Sequence, residues 1–594
     1  MKKGIISEAT SRNWKRLRSK KSGRLMARAN KQLSTKTIVP LEYFSNKDNV
    51  ADIQRFVSFC KEKGHKVEEV IYSVGVMLLK DAGILEKPHV QQALESLNVV
   101  DDIKSLETLV LPQNERDLLG LLYQCFLLEG EKNRKGSYYT PYSVAKNMVQ
   151  GLDFSKNQTF FDPCCGSGAF VLALEGASPN QIFACDNDPV AVMIAKINML
   201  LKYKSEIFEP QIVCCDYLKC YYNTNFGHIS YDYIISNPPW GAAIFDKNGN
   251  QVTTRESFSY FFEKAFSQLS DDGLIRFLLP ESVLNVKTHK KFRKFLLENT
   301  DIQSITLYDG AFSGVQTKYI DIQCARHFDR SAAKWRNHRL IIDAVHSNGG
   351  DVSTSLDMTM GSLRSVSKHC FYLTNNLNFN LLSDSDLEKV QKILSKRKYT
   401  LKDSVWGLGI VTGDNKKHLK TKQGRELEPI YTGKEIEAYT LKAPKYFIKY
   451  RRADYQQVAK DEIYRADEKL VYKFISKNLV FAYDDSKSLV LNSANILIPR
   501  IPGMSVKTVM AFLNSSTFKF LYKSLFGEIK ILKGNLMELP FPEISSDTDK
   551  KLTNLVDEVL KGNKEATEVI DKEIDALYNV ISTEAERNGE ITAT

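Results

Sequence analysis

Two hydrogen-bond acceptors and a flat aromatic face fall within five consecutive residues, Ser236-Asn237-Pro238-Pro239-Trp240. Asn237 brings a side-chain amide oxygen. Pro238 brings a main-chain carbonyl with no N–H beside it, and Trp240 brings a ring. This set suits a planar group that carries an exocyclic NH2: two acceptors for its two hydrogens and a face to stack against. The run Tyr231-Asp232-Tyr233-Ile234-Ile235 leads in as a buried strand. Two consecutive prolines cannot donate to a ladder, so the strand stops there and the segment after it is stiff. A strand stopped by prolines for structural reasons alone would read the same way, so the rest of the chain has to decide.

The elements that must position this segment precede it. Thr159 to Asp162 reads as a strand, Pro163-Cys164-Cys165-Gly166-Ser167-Gly168 as a tight glycine turn, and Ala169 to Glu175 as a helix. Such a turn lets a ligand approach the backbone closely. It has no third glycine at the dinucleotide spacing and no Lys-Ser/Thr of a phosphate loop. A second strand, Gln181 to Cys185, ends at Asp186. A third, Gln211 to Cys215, ends at Asp216, and the fourth ends at Asn237. Helices between them, including Asp188 to Leu201, imply parallel order and a doubly wound α/β sheet. Ligands in such sheets lie at the carboxyl ends of the strands, which is where Asp162, Asp186, Asp216 and Asn237 fall. Upstream, Tyr139-Thr140-Pro141 reads as a helix start, with Thr140 the N-cap and Pro141 the first helical residue.

Composition bounds the class. The 594 residues are 43% hydrophobic and 26% charged, with a formal charge of +11 that permits a polyanionic partner without establishing one. No apolar stretch reaches the ~18 residues of a membrane span, and the basic N-terminus has no apolar run behind it, so neither membrane nor export is expected. The ten cysteines include no CxxC pair, which points away from zinc and disulfides and toward a reduced, cytoplasmic protein. No metal is expected.

Tyr139-Thr140-Pro141, Asp162-Pro163-Cys164-Cys165-Gly166-Ser167-Gly168 and Asn237-Pro238-Pro239-Trp240, in that order, resemble the amino-methylating DNA methyltransferases of the gamma arrangement. The resemblance covers about Lys135 to Asp329. It continues through Trp406 to Asn415, Tyr431 to Ile436 and Phe512 to Ser516, which look like a TaqI-like specificity domain. It implies a Rossmann-like core using S-adenosyl-L-methionine, with N6-methyladenine as the usual product. It also implies duplex DNA as partner, a base flipped out of the helix, and a chain acting as a monomer. That chain is either the modification enzyme beside a cognate restriction endonuclease or an orphan. Carried over, Tyr139 and Thr140 sit at the methionine end of the cofactor. Asp162 takes its amino group, flanked by Pro163, while Gly166 and Gly168 permit close approach. Asp186 holds the ribose hydroxyls, Asp216 accepts from the adenine amino group, and Phe261 covers the adenine. Trp240 and Phe312 pack on the extruded base, and Asn237 with Pro238 and Pro239 forms the catalytic segment. The chain departs from the family at Trp240, where adenine-specific members more often carry Tyr or Phe. An N4-cytosine product is therefore one alternative. Ribosomal-RNA and protein-glutamine methyltransferases, which share the Asn-Pro-Pro-aromatic segment, are the others.

The expected domains are a basic arm over 1–45, a helical domain over 46–130, the catalytic domain over 131–345, a mixed α/β target-recognition domain over 346–545, and a charged helical segment over 546–594. The arm reads equally as a DNA-contacting unit or a solvated tail. In the helical domain Ile53, Val57, Phe59 and Cys60 mark one face, and nothing suggests chemistry. In the recognition domain basic and aromatic residues interleave: Lys442, Lys445, Tyr446, Lys449, Tyr450, Arg451, Arg452, Tyr472 and Lys473. That mixture suits phosphates and base edges.

Overall fold

A computed structural model describes residues 43–580, apart from 98–102, 105, 107–110, 113, 128–138, 221–229, 241–255, 310–317, 327–338, 347–358, 361–363 and 528–529. Residues 1–42 of the expected basic arm, Phe312 and residues 581–594 of the expected C-terminal segment lie outside the described residues. The chain divides into two compact units, one ending at Lys368 and one beginning at His369. Among the described residues no helix is long and apolar enough to cross a membrane.

The first unit is built on a sheet of β1 (Phe160–Asp162), β2 (Ile182–Asp186), β3 (Gln211–Cys214), β4 (Tyr231–Ser236), β5 (Leu269–Pro280), β6 (Thr300–Asp309), β7 (Tyr319–Arg326), β8 (Arg339–His346), β9 (Thr359–Met360) and β10 (Arg364–Ser367). The order is β10-β8-β6-β7-β5-β4-β1-β2-β3, with β9 on β8. β3, β2, β1, β4 and β5 run parallel, whereas β7 is antiparallel between β5 and β6. The order reverses between β1 and β4, which makes their carboxyl ends the switch point at which doubly wound sheets bind ligands. The sheet continues past residue 345 to Ser367, because β10 pairs antiparallel with β8.

The helices ahead of the sheet are α1 (Val50–Glu62), α2 (Val67–Asp81), α3 (Pro88–Glu95), α4 (Leu118–Phe126) and α5 (Tyr142–Val149). Those within it are α6 (Ala169–Ala173), α7 (Pro189–Lys202), α8 (Ser257–Ser267) and α9 (Lys290–Asn299). In α1 the buried set is Ile53, Phe56, Val57 and Cys60, a full i, i+3, i+4, i+7 stripe; Phe59, expected on that face, is half-buried, and Phe56 takes its place. The leading helices share one apolar core with the sheet. Gly75 of α2 lets Ile197 of α7 approach so closely that an added Cβ would lie 2.6 Å from its Cδ1. α5 begins at Tyr142, one residue later than expected, and no side chain caps it.

Under the switch point lies a buried polar network. Arg276 on β5 forks onto Asp321 on β7 at 2.6 and 3.0 Å, and donates to the Asn147 and Met148 carbonyls at 3.0 and 3.1 Å. Tyr308 of β6 donates to Asp321 Oδ2 at 2.7 Å and stacks on Tyr319, with ring centroids 4.9 Å apart. The guanidinium thus ties three strands to the last turn of α5.

The second unit holds two four-stranded sheets. One is β11 (Val405–Leu408), β18 (Ala494–Ile498), β15 (Lys469–Lys473) and β16 (Phe481–Asp484). The other is β12 (Leu419–Lys420), β14 (Tyr446–Ile448), β13 (Glu428–Tyr431) and β17 (Leu489–Val490). Around them pack α10 (Asp384–Ser395), α11 (Val506–Asn514), α12 (Ser516–Phe526), α13 (Ser546–Leu560) and α14 (Ala566–Tyr578). A Cβ on Gly409 would meet the Leu491 and Ala494 carbonyls at 2.2 and 2.4 Å, so only glycine fits there. Asn514 brackets Phe481 with bonds to its N–H and carbonyl, and Ser515 caps α12 by accepting from the Phe518 N–H.

Removing one partner of the Arg276–Asp321 pair strands a buried charge. Asp321→Leu is expected to destabilise the first unit by about 3–5 kcal/mol in urea unfolding. A loss below about 1 kcal/mol, the range of exposed pairs, would show that the pair carries no such weight.

Candidate functional site

The two strand ends at the switch point are locked together by one hydroxyl. Ser236, the last residue of β4, donates from Oγ to Asp162 Oδ1 at 2.7 Å, and the Cys164 N–H donates to the same oxygen at 3.0 Å. Asp162 is fully buried and its Oδ2 has no partner. Burial drives its pKa up to about 7 against the opposing effect of the Ser236 and Cys164 bonds. A buried carboxyl with an orphaned oxygen at neutral pH either holds a proton or meets a cation.

Beside it the glycine turn bends with Gly166 at φ 53° and Gly168 at φ 84°, conformations open to glycine. A Cβ on Gly166 would come within 3.0 Å of the Tyr139 ring. Asp186 reaches back from β2, accepting from the Gly166 N–H at 2.9 Å and the Asp188 N–H at 3.0 Å; burial raises its pKa. Its carboxylate therefore shapes the turn, a task its position in the sequence did not announce.

Tyr139, Thr140, Cys164, Cys165, Gly166, Ser167, Ala169, Phe170 and Asn237 line a single pocket. Thr140, expected to cap α5, instead accepts from Asn237 Nδ2 at 3.2 Å, so the acceptor of that amide, Oδ1, lies on the opposite side. The Tyr139 hydroxyl is buried without a partner. Pro239 is held by Ser257, whose hydroxyl donates to its carbonyl. The indole N–H of Trp240 donates to the Leu278 carbonyl at 3.1 Å, just past the last β4–β5 pair, and the indole lies 6.3 Å from the Tyr319 ring.

The other expected residues stand apart from this pocket. Asp216 accepts from the Leu218 N–H at 3.2 Å and pairs with Lys219 at 2.6 Å. Phe261 is buried against the Tyr217 ring, with centroids 5.6 Å apart. In the second unit Tyr472, read as a DNA contact, is instead core, stacked on Phe481. Lys442, Lys449 and Arg452 are exposed but paired with Glu437, Glu426 and Asp461.

Sequence reasoning missed three residues that hold the turn: Asp117, Ser167 as a side chain, and Asn198. Their only signal was Asp117 standing immediately before the apolar run of α4, an N-cap position.

The antiparallel β7 inserted beside β5, the reversal at β1/β4 and the amide–proline–proline–indole segment together define a Rossmann-like methyltransferase domain. Residues 114–348 match the N-6 DNA Methylase family, and residues 428–541 match the TaqI-like C-terminal specificity domain. The chain therefore carries an N-6 DNA methylase domain followed by a TaqI-like specificity domain. It is 29% identical over 363 residues to the Type II methyltransferase M.VspI of Vibrio sp. (strain 343), which covers 58% of this chain and 83% of that protein. It is 27% identical over 261 residues to the Type I restriction enzyme EcoEI methylase subunit of Escherichia coli, covering 39% of this chain and 49% of the subunit. The chain thus spans about half the length of that subunit. Among solved structures, the Type IIL restriction-modification enzyme MmeI in complex with DNA shares the fold, with a TM-score of 0.58 at 13% identity over 91% of this chain and 97% of that one.

The buried carboxyl makes stability depend on pH. Its native pKa of about 7 lies above the ~3.9 of an unfolded Asp, so the native state binds the extra proton. Its contribution is complete below the unfolded value and is lost as pH rises toward 7. In the protein without ligand, Asp162→Asn should remove that decline, seen as a flatter thermal-unfolding midpoint between about pH 5 and 8. An unchanged slope would contradict the assignment.

Proposed function

We propose that the chain transfers a methyl group from S-adenosyl-L-methionine to the N6 amino group of an adenine extruded from duplex DNA. The observation that carries this reading is the unpartnered, buried Asp162 Oδ2 beside a glycine turn, one strand away from Asn237. The residues fit the cofactor: an orphaned carboxylate oxygen suits its amino group, and the Gly166–Tyr139 approach leaves a cradle that any side chain would fill. Tyr139, Thr140, Pro163, Gly166 and Gly168 would surround it, with Asp186, Asp216 and Phe261 toward its nucleoside end. When bound, it supplies an electrophilic sulfonium methyl group.

The adenine amino nitrogen is a poor nucleophile because its lone pair is delocalised into the ring. Asn237 Oδ1 and the Pro238 carbonyl accept its two hydrogens and draw it toward tetrahedral geometry. Positive charge grows on that nitrogen as the new bond forms, so both hydrogen bonds strengthen in the transition state. With Asn237 Nδ2 donating to Thr140, Oδ1 is left to accept from the base. Trp240, tethered through its N–H to Leu278, offers a face for the base; stacking of this kind contributes about 1–3 kcal/mol and offsets part of the unpairing. Phe312 is the second aromatic of the reading. The second unit would recognise the DNA, with its exposed basic side chains exchanging weak ion pairs for phosphates. A cognate restriction endonuclease would be the functional partner.

Asn237→Ala should lower kcat by about 10²-fold or more, since hydrogen bonds to a charged group are worth about 1.5–3 kcal/mol each. Its donor affinity by calorimetry should stay close to that of the unaltered protein. Trp240→Ala should weaken activity while donor binding persists. Loss of donor binding in either variant would count against these roles.

A further inference from the structure

The glycine turn is held from outside the sheet. Asp117, the N-cap of α4, accepts from three donors: the Gly120 N–H at 2.8 Å, the Ser167 hydroxyl, and Asn198 Nδ2 at 2.9 Å. Asn198 also donates to the Ser167 carbonyl at 2.9 Å, closing a triangle around the residue between Gly166 and Gly168. Ser167 and Asn198 are 1% and 5% exposed. One turn along α4, the Tyr123 hydroxyl donates to Asp188 Oδ2 at 2.7 Å. Asp188 caps α7 through Val190, and its own N–H is held by Asp186, the carboxylate that bonds Gly166. Tyr123 also lies 6.3 Å, centroid to centroid, from the ring of Tyr139.

A segment with two glycines at positive φ has the greatest conformational freedom to lose when it closes on a ligand. Fixing it in advance removes that loss from the binding free energy. Ser167 is held at both its hydroxyl and its carbonyl, and both bonds lead to α4 or to α7, against which α4 packs. The leading helices therefore do more than extend the core.

We propose that Asp117 is a positioning residue for the methyl-donor site: through Ser167 and Asn198 it clamps the glycine turn, so that α4 sets donor affinity. This rests on reading the pocket as the donor site.

The test is titration calorimetry of the full chain with S-adenosyl-L-methionine, together with steady-state methylation kinetics and thermal unfolding. Asp117→Ala is expected to weaken donor binding by about tenfold or more, the worth of a hydrogen bond to a charged group. The donor KM should rise in parallel, while kcat at saturating donor changes by less than about twofold, because uniform binding is what has been removed. Ser167→Ala leaves the α4 cap in place and should weaken binding in the same direction. Asp117→Asn keeps an acceptor for Gly120 and Asn198 and a polar partner for Ser167, and should restore most of the affinity. A folded Asp117→Ala variant that binds the donor within about twofold of the unaltered chain overturns the proposal. If that variant does not fold, Ser167→Ala decides by the same criterion. A fall in kcat with donor KM unchanged also overturns it, since that is the mark of a merely structural role. If the unaltered chain binds no donor, the pocket reading itself fails and takes this inference with it.

Discussion

Ser236 donating to the buried carboxyl of Asp162 is the contact on which the arrangement of the site depends. It joins the last residue of one parallel strand to the last residue of its neighbour at the point where the strand order reverses. That bond sets the spacing between a carboxylate oxygen left without a partner and the amide that follows on Asn237. The sheet explains why the two strands end together. β4 cannot continue through two prolines, and β1 runs into Pro163 and the glycine turn. Beneath them the Arg276–Asp321 fork and Tyr308 tie β5, β6 and β7 to α5, and Thr140, two residues ahead of that helix, accepts from Asn237. The Asn237-Pro238-Pro239-Trp240 segment is thereby held from behind by buried polar contacts.

Much of this was legible in the chain because it follows from chemistry that sequence cannot disguise. Proline stops a strand, paired glycines allow a turn at positive φ, and acids at strand ends mark the ligand side of a parallel sheet. Thus β1 to β4, the turn and the amide–proline segment could be located from residue types alone. What could not be read were contacts between residues distant in sequence. Asp117 and Ser167 are separated by 50 positions, and nothing local marks either as the partner of the other. Thr140 looked like a helix cap because its neighbour is a proline, yet its hydroxyl serves Asn237, which lies 97 residues on. Tyr472 looked like a surface contact because lysines surround it in sequence. Both faces of its strand are buried, Leu470 and Tyr472 in one core and Val471 in another, and Lys473 is part-exposed at the strand's end.

The second unit shows the same division between local pattern and tertiary use. The glycine of Leu408-Gly409-Ile410 answers to two carbonyls that press against it, and Asn514-Ser515 answers to a strand edge and a helix start. These residues build the scaffold. The exposed Lys416, Lys417, Lys420 and Arg425 stand between β11 and β13 and supply charge of the sign that DNA requires. Trp240, where Tyr or Phe is commoner, fits its surroundings through the bond from its N–H to Leu278, a donor phenylalanine lacks.

The central claim is that Asn237 and Pro238 present acceptors to an adenine amino group. It is tested most directly by incubating plasmid DNA of varied sequence with the full chain and methyl-labelled S-adenosyl-L-methionine, then digesting the DNA to nucleosides and separating them. The account predicts label in N6-methyldeoxyadenosine with the unaltered chain and almost none with Asn237→Ala. Label in N4-methyldeoxycytidine, or in no nucleoside from a chain that binds the donor, would contradict it.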